Sequence, residues 1–499
     1  MTVTRSVIVR NGLEGDIGGG IGNSGTLTVT DSLIAFNAAK YGGGIYNGSF
    51  SGQSPAVALI ERTRIIENSA DEKGGGIHND QQQVIVRDSV ISKNRQENTS
   101  LEGGGGVFNE GWMELSDSII SENTANTYGA GIATYSSMAI TRTQIISNTA
   151  GLGAGGMLVA PISLDPSMKV TLSESVVGQN TSQHGGGIVT TGLIEIRDSA
   201  IINNTAAQNA GGIAVSSWNN APNAIINSTI SGNRAGIDGG GIEVYTATLL
   251  LKSTTITNNQ ADSDANSSGS GGGLWSTAGS TINIHNSILW GNQQGSQAND
   301  CVGPLHSQGY NLLAANTGCT AVSSDSVGQP AQLGPLAANG GPTPTHALLP
   351  SSPAIDAGDP LGCRDSYGAL LLTDQRGVPR HTAPACDIGA FEVAPDSLTV
   401  VLHMQQPVSW PGLATTATVL VWSPQGVPTG TVVLKNGSTV LGNATLLDGK
   451  CTFTLPALEL GEYTLVAEYQ GGGSFEAANS AALTYSVRMP VFLPVTVRE

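Results

Sequence analysis

Aromatic side chains recur at one position of a repeated Gly-rich motif and could bind sugar rings. The position directly follows the apolar residue that ends the motif, and it holds Tyr46, His78 and Phe108 in successive copies, with Trp275 much later. Side chains alternate between the two faces of a strand, so a residue that follows an inward-pointing anchor should point outward. The three rings would then stack on one face and form a platform for sugar rings. The alternative is that they only shield a sheet edge.

Asparagine side chains stand beside this row and allow two interpretations. Asn47, Asn79 and Asn109 each directly follow one of the rings. Their amides could bond a ligand, or they could bond only each other from one repeat to the next, as stacked Asn side chains do in cross-β structures. We favour the ladder for the asparagines and keep the three rings as the candidate ligand-binding residues.

Acid–base chemistry has weaker support in the sequence. Hydrolysis of a glycosidic bond needs two carboxylates about 5–10 Å apart, and neighbouring repeats could offer such a pair in Asp88 and Asp117. Both residues also fit a structural column of charges. A uronate lyase needs a cation such as Ca²⁺ together with an Arg or Lys base. We therefore assign no catalytic residues.

Several aspartates in the later part of the chain could approach His346. They are Asp356, Asp359, Asp365, Asp374 and Asp387. Ca²⁺ prefers carboxylate oxygens, but Asp also bonds its own backbone in turns. We assign no metal ligands and no cofactor, and Ca²⁺ stays an open alternative.

Composition excludes several classes of protein. The chain has 499 residues, of which 67 are Gly, and only 5% are aromatic, a balance typical of turn-rich β structure. Its formal net charge of −17 repels nucleic acid and anionic lipid. No stretch reaches the roughly 18 apolar residues of a membrane-spanning helix. We expect neither a nucleic-acid-binding protein nor an integral membrane protein.

An asparagine recurs along residues 1–299 at a mean spacing of about 28 residues. Its copies are Asn11, Asn37, Asn68, Asn94, Asn123, Asn148, Asn180, Asn204, Asn233, Asn259 and Asn292. Three residues before each Asn, and again eight before it, every copy has an aliphatic residue; five before it, every copy has Ser or Thr. Columns this regular indicate a structural repeat.

Each repeat is too short to bury its own apolar face, so the repeats must stack. Pairing equivalent strands in parallel, about 4.8 Å apart, places each column above itself and produces a parallel β-helix. The expected fold class is all-β, with about eleven coils in a rod roughly 50 Å long. Six residues before each Asn stand many charges, such as Asp31, Arg62 and Arg142. We interpret this column as a ladder of partly exposed ion pairs.

The G-G-G-I and Asn signals resemble the repeats of polymorphic outer-membrane-type surface proteins, within the bacterial right-handed parallel β-helix proteins of the pectin lyase-like fold. The resemblance implies an architecture and no activity, because that fold carries adhesins, passenger domains, polysaccharide lyases and glycosidases alike. The Asp-Asp, Gly-His-Gly and Arg-Ile-Lys signals of its polygalacturonase-like branch are absent. Gln183-His184-Gly185 is the nearest match.

Residues 300–393 leave the repeat and become rich in proline, which cannot continue a parallel ladder. Gly309-Tyr310-Asn311-Leu312-Leu313 and TDQRGVPR (373–380) resemble the region that follows β-helix repeats in the choice-of-anchor Q family of secreted bacterial proteins. This resemblance implies a secreted or surface product and no known reaction. We expect the segment to cover the open edge of the last coil.

Four cysteines fall as two local pairs within this segment. We predict disulfides between Cys301 and Cys319 and between Cys363 and Cys386, which an oxidising compartment would allow. Reduced, buried thiols are the alternative. Cys451 is left over.

Residues 394–488 change to alternating apolar runs with regular turns, which predict a seven-stranded β-sandwich. The stretch GEYTLVAEYQGGGSFEAANSAALTYSV (461–487) resembles the final strands of bacterial Ig-like repeat domains, which commonly serve as stalks or spacers. Residues 489–499 form an apolar tail that is too short to span a bilayer.

These features predict a bacterial protein, extracellular or at the cell surface, that acts as an adhesin-like or structural presentation scaffold. Its expected partner is extracellular polysaccharide or a surface protein. The alternative is a polysaccharide lyase or glycoside hydrolase of the parallel β-helix type. Val3, Ser6, Ile8 and Asn11 already match the repeat and leave an open sheet edge. We therefore expect further coils and a secretion signal upstream of Met1, and the alternative is that coils stack between molecules.

Overall fold

The computed structural model describes residues 1–12, 17–49, 55–99, 103–161, 168–216, 221–314, 319–380, 385–394, 397–406, 408–409 and 411–489. Every regular element within these ranges is a β-strand. The chain divides into two compact units. The first holds residues 1–377 and 381–392, and the second holds residues 378–380 and 393–499.

The first unit is a parallel β-helix whose coils add strands, in chain order, to sheets A, B, C and D. Equivalent strands of successive coils pair in parallel and in register. Val86, for example, lies between Ile60 and Leu115, and all three side chains are 0% exposed. Alternate residues of each strand point into the interior, which stacks like residues on like residues. The predicted all-β fold and its parallel β-helix are confirmed.

The strands of these four sheets have the following bounds. Sheet A contains Thr2–Thr4, Thr26–Thr30, Val57–Glu61, Gln83–Arg87, Trp112–Ser116, Met138–Thr141, Lys169–Ser173, Leu193–Arg197, Asn223–Ile226, Thr248–Lys252, Thr281–His285 and His306–Ser307. Sheet B contains Val7–Val9, Leu33–Ala35, Arg64–Ile66, Val90–Ser92, Ile119–Ser121, Gln144–Ile146, Val176–Gly178, Ala200–Ile202, Thr229–Ser231, Thr255–Thr257, Ile288–Trp290, Leu312–Leu313 and Ser326–Val327. Sheet C contains Ala38–Tyr41, Ser69–Lys73, Arg95–Gln96, Thr124–Ala125, Thr149–Ala150, Thr181–Ser182, Thr205–Ala206, Arg234–Ala235, Gln260–Ala261, Gln293–Gln294 and Gln297–Ala298. Sheet D contains Ile21–Asn23, Ile45–Asn47, Ile77–Asn79, Val107–Asn109, Ile132–Thr134, Met157–Val159, Ile188–Thr190, Ile213–Ser216, Ile242–Tyr245, Leu274–Ser276 and Cys301–Val302.

Left-handed residues turn the chain at both ends of the sheet B strands from Val7–Val9 to Ile288–Trp290. One column stands six residues before the repeated Asn and runs from Arg5 (φ 47°) to Asn286 (φ 50°). The other stands directly before that Asn and runs from Arg10 (φ 57°) to Gly291 (φ 76°). Asp and Asn tolerate this conformation better than most residues. The column that we interpreted as an ion-pair ladder is therefore first of all a row of corners.

Ion pairs occur within the first of these columns, as expected. Nε of Arg62 lies 2.7 Å from Oδ1 of Asp31, and Nε of Arg142 lies 2.6 Å from Oδ1 of Asp117. These side chains are largely exposed, so each pair contributes little to the free energy of unfolding.

The Gly-rich motif meets two different demands. Gly42 turns the chain at φ 64°, a conformation that costs glycine little. At Gly44 the demand is space, because a Cβ there would lie 2.5 Å from the carbonyl oxygen of Gly76 and 3.2 Å from Nδ2 of Asn68. The backbones of neighbouring coils thus approach each other beside the Asn column, which explains why the glycines stand in tandem.

The repeated asparagines form a continuous internal ladder. The backbone N–H and the Nδ2–H of Asn148 both donate to Oδ1 of Asn180, at 2.9 and 3.0 Å. Because the ladder is directional, its last amide, Asn292, needs an acceptor. Oδ1 of Asp300 accepts both of its N–H groups, at 2.9 and 2.7 Å. An ionised carboxylate only accepts hydrogen bonds, which suits the end of the ladder.

The Ser or Thr column forms a second ladder. The backbone N–H of Thr63 donates to Oγ of Ser89 at 3.1 Å, and that hydroxyl donates to the carbonyl of Arg87 at 2.7 Å. The last member of the column, Ser287, donates its backbone N–H to Oδ1 of Asn311 at 2.9 Å. The N–H and Nδ2–H of Asn311 in turn both donate to Oδ1 of Asp325 at 3.0 Å, so this ladder also ends in an acid. Both columns therefore have structural roles.

The parallel sheets continue beyond residue 299. Cys301–Val302, His306–Ser307 and Leu312–Leu313 pair with strands of sheets D, A and B, and Ser326–Val327 then joins sheet B. Residues 300–393, which we expected to cover the open edge of the last coil, also supply ladder acceptors and strands after the Gly and Asn spacing has stopped.

Residues 331–377, the lateral segment, pack along the outer faces of sheets A and B. The segment includes an antiparallel hairpin, Leu333–Ala337 with Thr345–Leu348. Oγ1 of Thr229 donates to Oε1 of Gln375 at 2.6 Å, and Oγ of Ser231 lies 2.8 Å from Nε2 of His346. Small hydroxyl residues of the sheet are thus recognised individually by the segment that covers them.

Both predicted disulfides are present in the first unit. Cys301 and Cys319 are bonded, as are Cys363 and Cys386, each pair with its Cα atoms 6.0 Å apart. The second disulfide packs against apolar side chains of sheet A. Cys451 is a buried free thiol in the second unit.

The second unit is a sandwich of two sheets around its own core. One sheet contains Thr399–Met404, Thr415–Trp422 and Lys450–Leu455. The other contains Val408–Ser409, Leu483–Val487, Gly461–Tyr469, Thr431–Asn436 and Thr439–Thr445, with Ala478–Asn479 beside Gly461–Tyr469. The core includes Tyr469 and Tyr485, which are 1% and 0% exposed. Residues 490–499 of the expected tail lie outside the described residues.

Candidate functional site

The row of rings lies on neighbouring strands of sheet D. Tyr46, His78 and Phe108 are register partners on three successive coils. The His78 ring is edge-on to both neighbours, with centroids 5.2 Å from Tyr46 and 5.3 Å from Phe108. The rings thus line up in one row, as the spacing predicts.

The same rings are buried, which corrects the expectation of an exposed stacking platform. Tyr46, His78 and Phe108 are only 7%, 3% and 1% exposed. Tyr135 packs on Phe108 with centroids 5.1 Å apart, and Nζ of Lys73 lies 4.9 Å from the centre of that ring. Strand alternation determines only that these side chains point away from the interior of the β-helix. Other side chains, such as Tyr135 and Lys73, pack over them. Ligand binding by the three residues stays a prediction.

An ion-pair cluster closes over the row. Oε1 of Glu110 lies 3.1 Å from Nζ of Lys73, and its Oε2 lies 3.0 Å from Nε2 of His78. The Tyr46 hydroxyl donates to Oδ2 of Asp80 at 2.5 Å. We call Tyr46, Lys73, His78, Asp80 and Glu110 the Glu110 cluster. No repeated pattern indicates Lys73 or Glu110, because these two residues stand at different offsets from the repeated Asn.

The cluster shifts the pKa values of its members in opposite directions. Burial alone would raise the pKa of Glu110, but hydrogen bonds from His78 and Lys73 outweigh it and lower that pKa. Burial and the bond to Asp80 raise the pKa of Tyr46. Glu110 is thus held as a carboxylate and Tyr46 as a neutral phenol. In these protonation states both residues keep their bonds within the cluster, which indicates a structural role.

The asparagines beside the rings form a ladder of their own. Nδ2 of Asn47 donates to Oδ1 of Asn79 at 3.0 Å, and Nδ2 of Asn79 donates to Oδ1 of Asn109 at 2.8 Å. All three are 0% exposed. The ladder interpretation of this column is confirmed.

The candidate acid pair lies in the left-handed column that precedes sheet B. Asp88 and Asp117 have φ values of 48° and 50°, and Asp117 is bonded to Arg142 as described above. Burial of Asp117 is slight, and the hydrogen bond from Arg142 lowers its pKa. Both residues therefore serve as corners, and Asp117 also serves as an ion-pair partner.

The aspartates expected near His346 take separate structural partners. Asp374 lies 2.7 Å from Nη2 of Arg376, and Asp365 lies 3.1 Å from Nη2 of Arg197. His346 bonds Ser231 through Nε2 and the carbonyl of Gly334 through Nδ1 at 2.7 Å. The described residues hold no group of three or more His, Cys, Asp or Glu that could bind a metal ion.

Comparisons with known proteins match only part of the chain. In the described part of the chain, no helix is long and apolar enough to cross a membrane. No curated protein matches the chain. One solved structure, of fibronectin(III)-like modules of Clostridium thermocellum CbhA, matches the chain with 21% sequence identity and a TM-score of 0.15. The match covers 18% of this chain and 100% of the chain in that structure. Residues 403–488 match the family model described as Bacterial Ig-like domain (group 3).

Proposed function

We propose that the protein is an extracellular or cell-surface scaffold, in which the β-helix presents a rigid surface and the Ig-like unit acts as a stalk or spacer. The observation that carries the proposal is the Asn ladder, which runs from Asn11 to Asn292 and ends on Asp300. Such a ladder fixes every coil to the next one. The choice-of-anchor Q resemblance of residues 300–393 supports attachment at a surface.

The disulfides support the compartment in this proposal. Disulfides of this kind persist in oxidising environments and are rare in the cytosol. The described chemical groups support the scaffold over an enzyme, because Asp117, Glu110 and Asp374 each bond a cation of the same chain. Extracellular polysaccharide or a surface protein is the proposed partner.

The compartment can be tested on intact source cells with a membrane-impermeant amine reagent. We expect the protein to be labelled on the cells or recovered from the medium, with a cytosolic protein as the unlabelled control. Alkylation of the denatured, unreduced protein should modify Cys451 alone. Protein that stays unlabelled inside the cells with five reactive thiols would contradict the proposal.

The enzyme alternative has its own test. Purified protein is incubated with acidic polysaccharides such as polygalacturonate, with and without Ca²⁺, and assayed for unsaturated products and new reducing ends. The scaffold proposal predicts neither product. Unsaturated chain ends that depend on Ca²⁺ would replace it with a lyase.

A further inference from the structure

The outward row of sheet D becomes accessible in later coils. There it holds Glu243, whose register partners are Ala214 on the preceding coil and Trp275 on the next. Tyr245 stands two residues further along the same strand, on the same face, and is 58% exposed. Glu243 and Trp275 are half-buried. In this part of the helix, the row therefore offers two aromatic rings beside a carboxyl group.

The Glu243 carboxyl has one polar side-chain neighbour that bonds it, and it stays partly accessible. Nδ2 of Asn209 donates to Oε1 of Glu243 at 3.0 Å. Nearby, the hydroxyl of Ser270 donates to Oδ1 of Asp238 at 3.0 Å. No Lys, Arg or His of the described ranges acts on the Glu243 carboxyl. Glu110, at the equivalent face of earlier coils, is by contrast held by both Lys73 and His78.

Glycines occupy the turns that lie directly beside Glu243 and Trp275. A Cβ at Gly239 would lie 2.9 Å from Cβ of Glu243, and a Cβ at Gly271 would lie 2.7 Å from Cβ of Trp275. A larger residue at either turn would press on the side chain that follows it. Gly104 makes the same contact with Cβ of Phe108, at 2.8 Å, so this turn is a general feature of the motif.

We propose that Glu243, Tyr245 and Trp275 form a binding site for a neutral saccharide. From the spacing of strands and of residues along them, the Cα atoms of Tyr245 and Trp275 lie about 8 Å apart, with Glu243 at the corner between them. Aromatic rings pack on the apolar faces of sugar rings, while carboxyl and amide groups bond sugar hydroxyls. Asp238 and the net charge of −17 disfavour an anionic polysaccharide.

The protonation of Glu243 supports a neutral ligand. Burial raises its pKa to about 7, the hydrogen bond from Asn209 opposes the rise, and the charge of Asp238 adds to it. Near neutral pH the carboxyl can therefore both donate and accept hydrogen bonds, and a sugar hydroxyl offers the complementary pair. This site goes beyond the scaffold role. The scaffold role is tested separately, by the labelling and alkylation experiment.

Affinity electrophoresis of the full chain tests the site. The gels contain hydroxyethylcellulose, soluble starch, galactomannan or xylan, and further gels contain polygalacturonate or chitosan as acidic and cationic probes. The variants are Trp275→Ala, Tyr245→Ala and Glu243→Gln. The matched control is Trp112→Ala, because Trp112 is 41% exposed on sheet A, away from the site. Circular dichroism establishes that each variant is folded.

We expect at least one neutral polysaccharide to retard the wild-type protein and the Trp112→Ala control equally. Trp275→Ala should weaken this binding at least tenfold, and Tyr245→Ala and Glu243→Gln should weaken it by smaller factors. The proposal is overturned if no neutral polysaccharide retards the protein, if only chitosan or polygalacturonate does so, or if Trp275→Ala binds like the wild type.

Discussion

Asp300 ends the Asn ladder as a buried acid, so its replacement by Asn should change how stability depends on pH. The side chain is 1% exposed, and burial raises its pKa to about 6 although the N–H groups of Asn292 lower it. The unperturbed value is 3.8. The folded protein therefore holds this proton more tightly than the unfolded chain does. The resulting stabilisation is complete below about pH 4 and is lost as the pH rises through about 6.

The size of this effect follows from the two pKa values. A shift from 3.8 to about 6 corresponds to about 3 kcal/mol of unfolding free energy. Asn keeps a carbonyl oxygen for the two N–H groups of Asn292 and has no proton to lose. The stability of Asp300→Asn relative to the wild type should therefore rise by about 2–3 kcal/mol between pH 4 and pH 7.

Guanidinium unfolding of both proteins at pH 4 and pH 7, followed by far-UV circular dichroism, measures this difference. Titration of all other groups cancels in the comparison. Asp300→Ala is the control, because it also lacks the titrating carboxyl and its stability relative to the wild type should change with pH in the same direction. It leaves both Asn292 donors without that acceptor, so it should be about 2–5 kcal/mol less stable than Asp300→Asn at both pH values. A difference between Asp300→Asn and the wild type that is the same at pH 4 and pH 7 would refute the reasoning.

Other predictions follow from the packing and the lateral segment. Gly44→Ala should destabilise the protein by about 1–3 kcal/mol in thermal unfolding because it forces two coils apart, whereas Gly25→Ala, with no heavy atom within 4 Å of its Cβ, should change little. Burial lowers the pKa of His346, so its neutral form stabilises the fold above about pH 6.5 and this contribution is lost as the pH falls. Limited proteolysis of the lateral segment should therefore accelerate below that pH in the wild type but not in His346→Gln, and equal acceleration in both would count against the assignment. Replacing Cys363 and Cys386 by Ser should cost about 3 kcal/mol, and an unchanged melting temperature would show that the bond contributes nothing.

Much of the first unit could be predicted from the sequence because each coil repeats the same local demands. The aliphatic columns determine which side chains fill the interior of the β-helix. The tandem glycines allow the backbones of neighbouring coils to approach each other closely. The Asn and Ser columns fix the ladders. The charged column was interpreted incompletely, since the charges of Asp31 and Arg62 suggested ion pairs while the backbone of both residues serves as a corner. The charge of a residue follows directly from its type. A left-handed φ is indicated only by the preference of Asn and Asp for that conformation.

The accessible surface could not be predicted in the same way. Strand alternation places Tyr46, Phe108 and Glu243 on the same outward row, yet the first two are buried and Glu243 is half-buried. The difference comes from which residues cover the row: Lys73, the last residue of a sheet C strand, and Glu110, which directly follows a sheet D strand, lie over the rings. Such contacts have no fixed offset from the repeat, so no column records them.

The lateral segment shows the same limit. Its prolines correctly indicate the end of the regular repeat, but they do not indicate where the segment packs. Its position depends on single contacts between distant parts of the chain, such as Thr229 with Gln375 and Ser231 with His346. The disulfides were accessible to prediction because both partners of each pair are close in sequence.

The in-register stacking of coils is the central claim, and one cross-linking measurement tests it most directly. Thr141 and Ser173 are register partners, with side-chain oxygens 3.1 Å apart, and neighbouring parallel strands lie within the Cα separation of a disulfide. The variant with Cys at both positions should form this disulfide under mild oxidation, as read by mass spectrometry of unreduced peptides. A variant with Cys at 141 and 171 should form far less. Equal cross-linking in the two variants, or a bond only in the second, would contradict the stacking.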